Sequence, residues 1–252
     1  MLAGGMSTAV AAGAGLSDPK SLLIVAGAPA VSTAMTVVLG DVSARIVSAR
    51  ERMRMGAVGV MALQLIRKRL AEGDTPRRDG FFDERTPHRS RANELLEGVL
   101  LKARDQYEEK KLPFLANLIA NAVFDSVEPG TLMWAVSLGG VINYRQFVVL
   151  ALFRDDLARQ ALRAQEGLYI VPSTSKLEDQ ASLLAEIFDL YQRSLVAKAE
   201  REPGKFLVLL GPGNVAPRFM ILTYPFGIRL HALLGLQGVD TADKDEVATM
   251  LR

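Results

Sequence analysis

Residues 42–71 set the terms for this chain. Val42, Ile46, Met53, Val60, Leu63, Ile66 and Leu70 recur near helical spacing with arginines between them, which predicts one long amphipathic helix whose apolar stripe needs a packing partner. Gly56 and Gly59 weaken its middle by up to about 1 kcal/mol each relative to alanine. The same region concentrates charge. Arg45, Arg50, Arg52, Arg54, Arg67, Lys68 and Arg69 stand against the single acid Glu51, a local positive zone in a chain whose net charge is only +2.

Further helices follow from the same periodicity. Residues 91–111 place Leu95, Val99 and Ala103 on one face. Pro113 suits the first turn of a helix running to about Phe124, where a missing N–H costs nothing. Thr131–Leu138 reads as a helix holding the only tryptophan, Trp134, and stopped by Gly139 and Gly140. Asn143 is an N-cap for 144–154, and a short helix continues over 155–165. Leu168–Val171 reads as a short strand, and residues 176–201 as a long helix. Lys205–Leu210 and Arg218–Thr223, joined by Gly, Pro and Asn, read as a hairpin. Pro225–Leu236 is a helix, and the polar tail holds one last helical turn. Between the first two helices, residues 72–90 carry two Pro, two Gly and many charges, and read as a loop. Phe81 and Phe82 within it either anchor the loop on the core or form an exposed contact patch.

Before the arginine zone, residues 1–19 have no basic region ahead of an apolar stretch, so they read as a flexible lead-in rather than a secretory signal. Ser21–Gly40 is twenty residues without a charge. At about 1.5 Å per residue that length spans a bilayer's hydrocarbon, and the arginines beyond it suit the cytoplasmic side. Its Ala, Gly, Ser and Thr content and Pro29 favour the other reading, a small-residue helix in the protein's own core. The expected organisation is therefore an apolar segment (residues 1–40), a helical bundle (41–140) and a C-terminal module (141–252).

Composition removes several functions. With no cysteine there are no disulfides, thiol nucleophiles or thiolate metal sites. Two histidines, His88 and His231, lie far apart, so no metal site is expected, and His231 suits a buried, satisfied position in an apolar helix. There is no G-x-x-x-x-G-K-[ST] phosphate loop and no G-x-S-x-G elbow. Gly211-Pro-Gly-Asn lacks the lysine a phosphate cradle needs. The carboxylate pairs Asp83–Glu84, Asp155–Asp156 and Glu178–Asp179 are sequence neighbours, which point to different sides of a helix. No catalytic residue and no cofactor are expected.

The order of helices, hairpin and closing helix resembles winged-helix proteins, with Leu222, Thr223 and Gly227 matching their Leu-Thr-x-x-Gly turn at a spacing one residue longer. That resemblance implies a mainly α fold with a C-terminal winged-helix-like module. DNA readout needs a cationic recognition helix and wing. Here Glu178, Asp179, Glu186, Asp189 and Glu200 outnumber Lys176, Arg193, Lys198 and Arg201, and the wing loop holds one cation, Arg218. A DNA-binding regulator is the alternative and is disfavoured.

Residues 107–125, with Glu108–Lys111, Pro113–Phe114 and Ala120–Asn121, and the later Tyr144–Gln146, resemble uncharacterised bacterial helical proteins associated with abortive infection, a phage-defence response. The residues themselves read more plainly: the Glu-Glu-Lys-Lys run as a solvated helix end, Asn117 and Asn121 as pairing within a bundle. The expectation is a non-catalytic interaction protein of bacterial defence or stress type, cytoplasmic, with a protein partner. A membrane surface met by the basic zone and a second copy of the chain stay open. An enzyme whose site escapes recognition is the remaining alternative.

Overall fold

Residues 112–124 and 146–153 contain no charged side chain, and each forms a helix buried on nearly all sides, as a helix without a polar face must be. The computed structural model describes residues 29–43, 48–84, 89–163, 174–199 and 217–251. The chain divides into two compact units, Met1–Val141 and Ile142–Arg252. Among the described residues there are ten α-helices and one two-stranded antiparallel sheet, so the protein is mainly helical.

The first unit holds α1 (Pro29–Ser43), α2 (Ala49–Ala71), α3 (Arg91–Arg104), α4 (Leu112–Phe124) and α5 (Pro129–Val141). Helix α4 is its centre. Phe114, Leu115, Leu118, Ile119, Ala122 and Val123 are all buried, against α2, α3 and α5. Helix α1 buries Val31, Ala34, Met35, Val38 and Val42, an i, i+3, i+4 stripe, against α3. This portion of the uncharged run Ser21–Gly40 is core; Ser21–Ala28 lie outside the described residues. Among the described residues no single helix is long and apolar enough to cross a membrane.

Several sequence expectations need correcting here. The helix predicted over 42–71 is two helices. Val42 belongs to α1, and α2 starts after Ser48, whose side chain accepts from the Glu51 N–H while Glu51 accepts from the Ser48 backbone, a reciprocal cap that fixes the start. Position 40 lies inside α1 rather than at a boundary. The helix over 91–111 ends at Arg104, and a 3₁₀ turn, Glu109–Lys111, leads into α4. The Glu-Glu-Lys-Lys run is not wholly solvated, because Lys111 is only 1% exposed. Gly139 and Gly140 do not stop α5, which runs to Val141; a Cβ on Gly140 would collide with the Lys102 side chain.

The second unit holds α6 (Tyr144–Arg154), α7 (Asp156–Arg163), α8 (Thr174–Gln192), β1 (Val196–Lys198), β2 (Met220–Leu222), α9 (Phe226–Leu234) and α10 (Thr241–Met250). Helix α6 is its centre, with every residue from Gln146 to Phe153 buried and α7, α8, α9, α10 and β2 packed on it. Asn143 caps it as expected, in a reciprocal pair with Gln146.

The predicted helix 176–201 ends at Gln192 instead. Ser194 takes a positive φ of 58°, and the chain turns directly into β1, which pairs with β2 in the register Val196–Leu222, Ala197–Ile221 and Lys198–Met220. The strands predicted at Leu168–Val171 and Lys205–Leu210 lie outside the described residues; β2 falls within the run Arg218–Thr223. The polar tail forms a ten-residue helix, α10, capped by Asp240, rather than one turn.

The turn after β2 explains Leu222, Thr223 and Gly227. Thr223 Oγ donates to the Ser194 carbonyl at 2.5 Å and accepts from the Gly227 N–H at 3.0 Å. One hydroxyl therefore joins the end of α8 to the start of α9. A Cβ on Gly227 would lie 2.0 Å from the Leu195 carbonyl oxygen, so only glycine allows this approach.

Candidate functional site

The basic zone is the strongest functional signal in the sequence, and the fold splits it. Arg45 lies outside the described residues; the other six cations are on α2. Two of them turn toward the protein. Arg54 Nη1 donates to the Arg104 carbonyl at 3.2 Å, at the end of α3. Arg69 donates from Nε to Asp74 at 2.6 Å, from Nη1 to Asn121 at 3.1 Å and from Nη2 to Asp125 at 3.3 Å. Its guanidinium also lies 4.3 Å from the centre of the Phe124 ring. Arg69 therefore holds the C-terminal end of α4, where a cation also suits the helix dipole. Glu51, the zone's one acid, is held below the usual carboxylate range by its hydrogen bonds from Ser48.

The other four cations face outward. Arg50, Arg52, Arg67 and Lys68 are exposed. Arg50 reaches Glu109 at 3.4 Å, with 70% of its side chain still exposed. Lys68 lies 3.8 Å from Glu72, with 71% exposed. Exposed pairs of this kind are worth at most about 1 kcal/mol. Between the cations runs an uncharged stretch, Met55–Ile66. Met53 and Val60, two helical turns apart, are 56% and 40% exposed on this face.

Phe81 and Phe82 separate in role. Phe81 is 3% exposed and meets Phe82 edge to face, with ring centres 5.1 Å apart. Of the two readings, Phe81 takes the first and anchors the loop on the core, so the contact patch does not hold at Phe81; Phe82 is half-buried. The cause is Arg77, which the sequence reading passed over. Its guanidinium covers the Phe81 ring at 4.4 Å and forks onto Asp79. It also donates to the carbonyls of Asp125 and Val127, each at 3.0 Å. A "Pro-Arg-Arg-Asp" loop shows which residues are charged, but not which arginine is buried.

In the second unit, polar side chains gather where α6, α8 and α10 meet. Arg145 forks onto Glu186 at 2.8 and 2.7 Å and reaches Ser182 at 2.7 Å. Asn143 Nδ2 donates to Glu186 at 2.9 Å, and Gln146 Nε2 to Asp189 at 2.8 Å. Tyr144 donates its hydroxyl to Asp243 at 2.6 Å. Burial, then that hydrogen bond, pushes the phenol well above its usual range, so the hydroxyl keeps its proton and its hydrogen bond to Asp243. These groups satisfy one another and tie helices together. His231 is buried; desolvation, then the nearby Arg154, brings it down to about 4, leaving it neutral near pH 7. His88 lies outside the described residues.

The acid pairs are occupied or dispersed. Asp155 caps α7 by accepting from the N–H of Leu157 and Ala158, Asp156 pairs with Arg159, and Asp83, Glu84, Glu178 and Asp179 are exposed. Among the described residues no group of three or more His, Asp or Glu could hold a metal ion. No family model, no curated protein and no solved structure matches this chain.

Proposed function

We propose that this chain is a non-catalytic helical interaction protein that makes contact through the outer face of α2. One observation carries the reading. The basic zone is divided, with Arg54 and Arg69 spent on holding α3 and α4 and Arg50, Arg52, Arg67 and Lys68 left outside. The first two reach into the fold, while the side chains of the other four stay at the surface, Arg50 and Lys68 in exposed pairs with Glu109 and Glu72. The polar cluster of the second unit supports the same reading, since its acids and bases are engaged with one another across helices. Within this proposal, a bacterial defence or stress role comes from the likeness of residues 107–125 to abortive-infection-associated proteins.

The test is in-cell photo-crosslinking with a photoreactive residue at position 53 or 60, and at Leu157 for comparison. Leu157 is 77% exposed on the second unit. A discrete adduct at 53 and 60 that is missing at 157 supports a contact face on α2. The same adduct pattern at all three positions would overturn it.

A second reading concerns the C-terminal unit. Helices followed by paired strands, with Thr223 Oγ bridging Ser194 and Gly227, favour a winged-helix-like module. The acids on α8 (Glu178, Asp179, Glu186, Asp189) suit protein contact better than phosphate. Loss of electrophoretic retardation of random-sequence DNA at low salt is the expected result; clear retardation would favour a DNA regulator.

A further inference from the structure

We infer that the outer face of α5 is an interface between two copies of this chain, paired antiparallel about a two-fold axis at Ser137. Helix α5 (Pro129–Val141) carries no charged side chain, and a helix without a polar face calls for cover on every side. One side has it: Leu132, Ala135, Val136, Leu138 and Gly139 are buried, with α3 and α4 packed on the helix. The other side is open. Met133 is 40% and Val141 60% exposed, Ser137 is exposed, and Trp134 and Gly140 are half-buried. At 3.6 residues per turn these five positions share an arc of about 120°, so they form one uncharged row.

Shape and charge both point to a second copy. Along the row, Met133 and Gly140 lie on one flank and Trp134 and Val141 on the other, with Ser137 between them. A two-fold axis at Ser137 sets each flank against itself in reversed order. Met133 then meets Gly140 of the second copy, Trp134 meets its Val141, and the two small serines meet at the axis. The larger side chain on each flank falls opposite a smaller one, which lets the helices approach closely. An isologous contact requires such self-complementarity, and a foreign partner does not. The row itself brings no charges together. At its ends, Glu128 caps the first turn of α5 by accepting from the Thr131 N–H. The Lys102 stem fills the space beside Gly140 in the last turn. Antiparallel order places the Glu128 end of one copy alongside the Lys102 end of the other, whereas parallel order would set like against like. Gln106 Nε2 donates to the Gly140 carbonyl at 3.1 Å, which brings Tyr107, 79% exposed, near that end as well. The row is about 20 Å long. It covers less than the roughly 800 Å² per partner of a standard stable interface, so the pairing is weak and concentration-dependent.

The chain has no cysteine, so single cysteines report the pairing directly. Mild oxidation of Ser137→Cys at high protein concentration is expected to give a disulfide-linked dimer. Met133→Cys is expected to give little, because antiparallel copies hold that position about 12 Å apart along the helix, beyond disulfide reach. Leu157→Cys, on the second unit, is the control. In sedimentation velocity, the wild-type chain is expected to move from monomer toward dimer between micromolar and millimolar concentration. Met133→Glu combined with Val141→Glu is expected to weaken the dimer more than about tenfold, because carboxylates pressed into an uncharged contact lose their water. Leu157→Glu leaves it unchanged. Circular dichroism checks each fold, and the cysteine series decides alone if the double variant folds poorly. A monomer at every concentration, or a dimer that the double variant retains, would overturn the interface. Linking at 133 or 157 as strong as at 137 would overturn the antiparallel pairing at Ser137.

Discussion

Arg77→Met tests the account of the first unit most directly. The methionine keeps an aliphatic stem of similar reach and removes the guanidinium, whose side chain is 3% exposed. Lost with it are the fork onto Asp79, the donations to the carbonyls of Asp125 and Val127 and the cover over Phe81. Hydrogen bonds from a charged donor are worth about 1.5–3 kcal/mol each. Against this, the folded state no longer desolvates a guanidinium, and Asp79, 42% exposed, rehydrates. The expected net loss is about 3 kcal/mol. Trp134 lies on α5 of the same unit and is the chain's single tryptophan, so its fluorescence follows unfolding there. With a urea dependence of about 2 kcal/mol per molar, the midpoint falls by about 1.5 M. Arg78→Met is the companion variant. Arg78 is the next residue but is exposed, and its loss is expected to stay within about 0.5 kcal/mol. Equal midpoints for the two variants would refute the claim that Arg77 holds this loop and the end of α4.

Gly227→Ala drives a Cβ to 2.0 Å from the Leu195 carbonyl. It is expected to destabilise the second unit by about 3 kcal/mol or more, seen as faster amide exchange in peptides covering 194–234; unchanged exchange would show that the turn relaxes freely. His231 has its folded-state value lowered from 6.5 to about 4. Between those values the unfolded chain binds a proton that the folded chain does not, so stability is full above pH 6.5 and falls as pH drops toward 4. Discounted for residual solvent screening, the loss is about 1–2 kcal/mol. His231→Leu is expected to flatten this window in urea titrations followed by circular dichroism, and an unchanged pH profile counts against a buried neutral histidine. Lys111 is lowered from 10.5 to about 8, mainly by burial and in spite of Glu108. The folded chain gives up its proton first, so stability gains as pH rises from about 8 to 10.5. Subtracting the Lys111→Met profile from the wild type, with Trp134 as reporter, should isolate that rise; a flat difference is the contrary result.

Sequence periodicity and the absence of charge were enough to name the helices around which each unit forms. Residues 112–124 and 146–153 have nowhere to stand but inside, and Asn143 with Gln146 declares where α6 begins. The Ser48–Glu51 cap was equally legible, because a Ser-x-x-Glu spacing ahead of an apolar stripe is a local signal. Joining 42–71 into one helix overlooked it. The end of α8 was not legible in the same way. Its apolar rhythm continues past Gln192, and the chain leaves the helix because Val196–Lys198 gains a partner strand more than twenty residues later. Likewise, seven cations in one stretch describe a charge and not a surface. Arg54 and Arg69 face inward because carbonyls and carboxylates of α3, α4 and the following loops come to meet them, while Arg50, Arg52, Arg67 and Lys68 stay exposed. The same holds for Arg77 and Arg78, adjacent in the chain and opposite in fate. Local sequence determines propensity, capping and which helices cannot face water, since those depend on neighbours within one or two turns. Which charged side chains become part of the fold, and which stay at the surface, depends on groups brought together from 40 to 60 residues away, roughly the separations that tertiary contacts span and local rules do not.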